Sequence, residues 1–252
     1  MWTHALRPTG RLARTLLVEF AQVATDSVSF RVTAPRMMAA QLAEDRHAVQ
    51  FYEKDDYLLE GVTRFVAAGI SDGDCAIVIA TKAHRTDLEA RLVRRGFDLN
   101  AARRRGSYHA LDAAETLAKF MNGDLPDPTK FHEVIGTLID RSVQGPPLRR
   151  VRAFGEMVAL LWADGRPAGA IALERLWNEL ATRQTFSLLC GYPMRVFADA
   201  RHTRGFAEVS AEHSHVAPTE AYLELDPDDR LRAVASLQQR ISSLEAERAA
   251  EV

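Results

Sequence analysis

Glu156 is the carboxylate best placed to do chemistry. In RAFGEMVALLW (Arg152–Trp162) it follows a strand-like run and a glycine and precedes an apolar helical pattern. A carboxylate at such a junction can accept a hydrogen bond from a ligand hydroxyl or anchor a neighbouring His or Arg. A glutamate in the first turn of a helix also complements the helix dipole, and the pattern leaves both roles open. His84, in TKAHR (Thr81–Arg85), stands after a second strand-like run at a helix start, where an exposed position within reach of a ligand is expected. Tyr52, Glu53, Thr81, Gly155 and Tyr192 also fall at or just after the ends of strand-like runs. If those strands are parallel, Tyr52, Glu53, Thr81, His84, Gly155, Glu156 and Tyr192 converge on one crevice, mixed apolar and polar as small-ligand sites tend to be.

Other constellations resolve into structure or absence. Asp112 and Glu115 in LDAAETL resemble a paired-carboxylate site, but their spacing is that of a capping box opening the helix that carries Leu117, Phe120 and Met121. His213 and His215 in EHSHV lie two apart. With only two distant cysteines and no HExxH, they are expected to be solvated or helix-capping, and no metal site is expected. Cys75 and Cys190 each sit inside an apolar strand-like run, as buried thiols of a reducing compartment do. Trp162 and Trp177 lie on apolar helical faces and read as core. No GxSxG elbow occurs. No GxxxxGK[ST] or strand-following GxGxxG occurs either, and no glycine lies between His47 and Glu60. The backbone nest that cradles nucleotide phosphates therefore has no obvious place to form. The expectation is a non-enzyme with no catalytic residue and no cofactor.

The elements that would position these residues are legible from periodicity. HAVQFY (47–52), CAIVIA (75–80), SYHAL (107–111), RRVRAF (149–154) and FSLLCGY (186–192) have strand length and composition. Between them, Leu58, Leu59, Val62, Phe65 and Val66 share a helical face, as do Phe131, Val134, Ile135 and Leu138, and Leu173, Leu176, Trp177 and Leu180. Asp127 before Pro128 marks a helix start, and Gly145 a stop. Strands alternating with helices of this length predict an α/β fold, a three-layer core with a mostly parallel sheet covered on both faces.

Composition sets the outer bounds. At 252 residues, 47% hydrophobic and 26% charged, the chain can bury a real core, and a net charge of −2 gives no global case for nucleic acid. Its apolar runs are far shorter than the ~20 residues that span a bilayer, so a cytoplasmic location with no membrane contact is expected. Residues 1–46, with Arg7, Arg11 and Arg14 and no acid before Glu19, read as an N-terminal extension; 47–222 form the main domain; 223–252 form a polar helix capped by Asp226 with Pro227 in its first turn. Val234, Leu237, Ile241 and Leu244 make a narrow a/d seam on that helix, which favours packing against a partner or a second copy over folding back onto its own domain.

Several segments, in order, carry a family resemblance: HAVQFYE (47–53), VIATKAHRTDLEARL (78–92), YHALDAAETLAKFM (108–121), RAFGEMVALLW (152–162), LERLWNELATRQTFSLLCGYPM (173–194) and HSHVAPTEAY (213–222). The chain resembles the MEDS family, the sensory domain named for methanogens, methylotrophs and the dichloromethane dehalogenase regulator. The resemblance implies a RecA-like or KaiC-like core that has lost its phosphate-binding loop, and a sensory role with small hydrocarbon derivatives as ligands. The resemblance also implies joining to histidine-kinase, PAS or DNA-binding output domains, and the expected partner of this chain is a histidine kinase, a sigma or anti-sigma factor, or another regulator. The competing readings are a degenerate RecA-like ATPase in which Glu156 keeps a catalytic carboxylate, and a pure interaction module.

Overall fold

The computed structural model describes residues 47–144, 150–197 and 203–250. The expected extension over 1–46 and the helix stop at Gly145 lie outside the described residues, as do the side chains of Ile241 and Leu244. The five expected strands form: β1 (His47–Tyr52), β2 (Cys75–Ala80), β3 (Tyr108–Asp112), β6 (Val151–Gly155) and β7 (Phe186–Pro193). A small antiparallel hairpin, β4 (Met121–Asn122) and β5 (Leu125–Pro126), and a short strand β8 (His215–Ala217) join them. The main sheet runs β3-β2-β6-β7-β1-β8, and every pairing in it is parallel. Each residue of β1, β2 and β6 is buried, because both faces of the sheet are covered and the strands can be continuously apolar.

Crossover direction sorts the helices between the faces. From β1 the chain moves to β2 and then β3, toward one edge; from β3 it returns through β6 and β7 to β8 at the other. Right-handed crossovers that travel in opposite directions lie on opposite faces. Accordingly α1 (Asp55–Asp72), α2 (Lys82–Arg94) and α3 (Leu99–Arg104) cover the face carrying Ala48, Tyr52, Ala76, Val78 and Phe154. The other face, carrying Val49, Phe51, Ile77, Ala153 and Cys190, is covered by α4 (Ala113–Ala118), α5 (Pro128–Phe131), α6 (Thr137–Val143), α7 (Met157–Ala163), α8 (Pro167–Arg183) and α9 (Thr203–Ala211). Strands β2 and β6 are neighbours whose chains leave to opposite faces, and so are β7 and β1. At such divergences the carboxyl edge of a parallel sheet opens.

Local chemistry fixes the helix ends. Asp112 accepts from the backbone N–H groups of Ala114 and Glu115, and Asp127 from that of Lys130, with Pro128 at the first helical position. Gly73, at φ +83, closes α1 in the left-handed conformation that favours glycine. Between α5 and α6 the chain makes a π-helical turn, His132–Gly136, whose Gly136 carbonyl accepts from Gln184 Nε2 at 3.2 Å. Trp162 and Trp177 are core residues, as their helical faces indicate. After α10 (Glu220–Glu224), the polar helix α11 (Pro227–Ala250) starts under the Asp226 cap and leaves Leu231, Val234 and Leu237 exposed.

Candidate ligand site

The β2–β6 divergence holds the Glu156 carboxylate. Glu156 begins the turn from β6 into α7, yet its side chain makes no cap hydrogen bond to that helix. It is 3% exposed. Its Oε2 accepts from the Thr81 N–H at 2.9 Å, and its Oε1 pairs with Nδ1 of His84. The two oxygens therefore tie the end of β6 to the turn after β2. Thr81 in turn accepts the His84 N–H at 3.3 Å and caps α2. On the far side of the ring, His84 Nε2 lies 3.4 Å from Oδ2 of Asp55, the first residue of α1.

With a carboxylate at each nitrogen, His84 favours the doubly protonated form. The Glu156 hydrogen bond raises its pKa above the ordinary 6.5, burial pulls the other way, and the charges of Glu156 and Asp55 add to the rise. The expectation of an exposed helix-start histidine is corrected here: its side chain is 12% exposed, because Glu156 draws it inward. Tyr52 completes the group. Burial raises its hydroxyl pKa first, and the Glu156 and Asp55 carboxylates raise it further, with Arg195 opposing.

Four of the seven expected residues, Tyr52, Thr81, His84 and Glu156, thus share one electrostatic neighbourhood. Gly155 adjoins them. It is buried, yet a methyl built on it would find no heavy atom within 4 Å, so there is free space beside the carboxyl end of β6. Glu53 is exposed, and it is its backbone that is engaged: the N–H groups of Glu53 and Lys54 donate to Glu220 at 3.1 and 2.7 Å. Tyr192 faces the other layer, where its hydroxyl donates to Glu174 Oε1 at 2.8 Å, because alternate residues of β7 point toward α8. A surface groove beside the π-helical turn, lined by Pro128, His132, Thr137 and Arg183 among others, includes none of the seven.

A second polar group was not assembled from the sequence. His47, Glu174, Cys190 and His213 meet beneath α8, each at most 4% exposed. Burial lowers the His213 pKa to about 4, with His47 adding to the fall, and burial followed by the Glu174 charge pushes the Cys190 thiol up. The expectation that His213 and His215 are solvated is corrected: both are 2% exposed, since β8 draws this segment onto β1. His213 does have a capping contact, with Nδ1 on the Val209 carbonyl at 2.6 Å. The signal for the cluster was Glu174 itself, a carboxylate within the Leu173, Leu176 and Trp177 stripe of α8.

A family model described as MEthanogen/methylotroph, DcmR Sensory domain (MEDS) matches residues 46–213. The chain belongs to the MEDS family. That match takes in every strand of the main sheet except β8, together with Glu156 and His84. No curated protein matches the sequence. The MEDS assignment agrees with a sensory or regulatory role, and among the described residues no helix is long and apolar enough to cross a membrane.

Proposed function

We propose that this MEDS domain is a non-enzymatic sensor that binds a small hydrocarbon derivative at the carboxyl edge of its sheet. The observation that carries the reading is the Glu156 carboxylate, buried at the β2–β6 divergence and shared between Thr81 and His84. A ligand hydroxyl that donates to Glu156 Oε1 would compete with His84 for it. Release of His84 would loosen its contact with Asp55 and so the start of α1. In this way a small molecule could change the relation of three loops without any bond being made or broken. The change would reach a partner regulator, such as a histidine kinase or a sigma or anti-sigma factor, through the exposed Val234–Leu237 stripe of α11.

The turn from β1 into α1 supports this reading over a degenerate ATPase. That turn is two residues long, and both of its N–H groups are taken by the buried carboxylate of Glu220. Asp55 and Asp56 add negative charge to the first turn of α1, where a phosphate would need donors and positive potential.

Thermal unfolding with methanol, ethanol or 1-propanol, and separately with magnesium ATP, tests the proposal. A saturable rise in Tm with an organic ligand, absent in Glu156→Gln, supports it. Stabilisation by magnesium ATP, with turnover lost in Glu156→Gln, would replace it with the ATPase reading.

A further inference from the structure

We propose that His47, Glu174, Cys190 and His213 form a closed binding site for one zinc-class divalent metal ion, buried on the opposite face of the sheet from Glu156. Their donor atoms all lie within 4.8 Å of one another, and among the described residues no other group of His, Cys, Asp and Glu gathers in this way. The separations among His47, Cys190 and Glu174 Oε2 have the size of coordination edges, and the widest in the group, up to 4.8 Å, would close as the ion binds. His47 Nε2 is 3.2 Å from Glu174 Oε2, and Cys190 Sγ is 3.5 Å from each of them. His213 Nε2 is 3.5 Å from the other Glu174 oxygen. Metal bonds of roughly 2.0–2.3 Å in a regular tetrahedron give edges of roughly 3.3–3.8 Å.

The surroundings orient the donors. His213 Nδ1 faces the Val209 carbonyl, which can only accept, so Nδ1 carries the proton and Nε2 presents a bare lone pair to the cluster. His47 Nδ1 faces Asn178 Oδ1 at 2.8 Å. The Asn178 amide is fixed the same way round by its Nδ2 donating to the carbonyl and the carboxylate of Glu212. Both imidazoles thus have a backbone or amide oxygen on one nitrogen and the other aimed inward, the outer-shell arrangement of metal-ligating histidine. The Glu174 carboxylate has its own outer partner in the Tyr192 hydroxyl.

Without an ion this arrangement is poorly satisfied. His213 Nε2 has no hydrogen-bond partner among the described residues, although its side chain is 0% exposed; its near neighbour is a carboxylate oxygen. A bare imidazole nitrogen facing a buried carboxylate away from water needs a positive charge between them. One divalent cation supplies it. On binding, the Cys190 thiol proton leaves for solvent, and thiolate and carboxylate together neutralise the ion, so no net charge remains buried. Two nitrogens, one sulfur and one oxygen in a tetrahedral arrangement suit zinc, and with four protein donors the site is of the closed kind that stabilises structure. The ligands come from β1, α8, β7 and the turn between α9 and β8, so the ion would hold the α9–β8 segment against the sheet.

Cobalt(II) titration of EDTA-treated protein reads the site directly. The expected result is one equivalent bound, with the visible bands of tetrahedral cobalt and a near-ultraviolet thiolate charge-transfer band. That band should vanish in Cys190→Ser and survive in Cys75→Ser. Zinc should raise the Tm of EDTA-treated protein, and should do so far less in His213→Gln. Absence of both the cobalt bands and the zinc shift in the natural sequence would overturn the proposal whatever the variants do, as would a charge-transfer band that persists in Cys190→Ser.

Discussion

Replacing Glu156 by Gln isolates what the buried carboxylate contributes, and the structure sets both the size and the pH dependence of the effect. Gln keeps one oxygen for the Thr81 N–H, but its amide nitrogen then meets His84 Nδ1. Below pH 6.5 that places a donor against a donor and removes a hydrogen bond between charged groups, a loss of about 2–3 kcal/mol. Once pH has risen past its folded-state pKa, a neutral His84 can turn its Nδ1 lone pair toward the amide and keep Nε2–H for Asp55, and the loss shrinks to about 1 kcal/mol. The direction follows from linkage. The folded-state pKa of His84 is raised above its ordinary 6.5, so the stabilisation is complete below that value and fades as pH rises through the folded pKa. Urea unfolding of both proteins from pH 6 to pH 9, followed by the fluorescence of the buried Trp162 and Trp177, measures the difference. A gap that is negligible at pH 6, or that widens as pH rises, would refute the reasoning.

Three further outcomes are expected. In Gly169→Ala, the new methyl would run into the Asp124 carbonyl in the β4–β5 turn, and because backbone cannot swing aside the cost should be about 2–3 kcal/mol by urea unfolding; an unchanged midpoint contradicts that packing. Glu220→Ala leaves the Glu53 and Lys54 N–H groups without their carboxylate and should cost about 2–3 kcal/mol, with Glu220→Gln intermediate, read from Tm. The double substitution Val234→Asp, Leu237→Asp on the exposed face of α11 should change stability by less than about 0.5 kcal/mol yet lower the particle mass seen by light scattering or abolish capture of the partner regulator; a cooperative loss of folding would instead show that α11 packs on its own domain.

The parts of this fold that were legible in the sequence are those where local pattern and tertiary demand coincide. CAIVIA is short, apolar and β-branched, and a strand buried on both faces asks for nothing else. Asp127 with Pro128 and Asp226 with Pro227 carry their helix starts within a few residues. HVA in β8 was missed because three residues offer no period to read, and its place is set by pairing with β1. The π-helical turn left no mark in composition. At the carboxyl edge, the position of Glu156 after a strand and a glycine was enough to single it out. Its partner His84 was misjudged as exposed because the contact spans 72 residues of sequence. The same limit hid the His47–Glu174–Cys190–His213 cluster. Each member looks ordinary in its own segment, and only the parallel packing of β1 on β7 under α8 brings them together.

The most direct test of a ligand at the carboxyl edge is the amide resonance of Thr81, whose N–H reports on the Glu156 carboxylate. In an NMR titration with methanol, ethanol or 1-propanol, a saturable shift of the Thr81 amide together with the His84 ring protons, absent in Glu156→Gln, is the result this account predicts. Saturable shifts confined to other residues, with Thr81 and His84 unmoved, would contradict it.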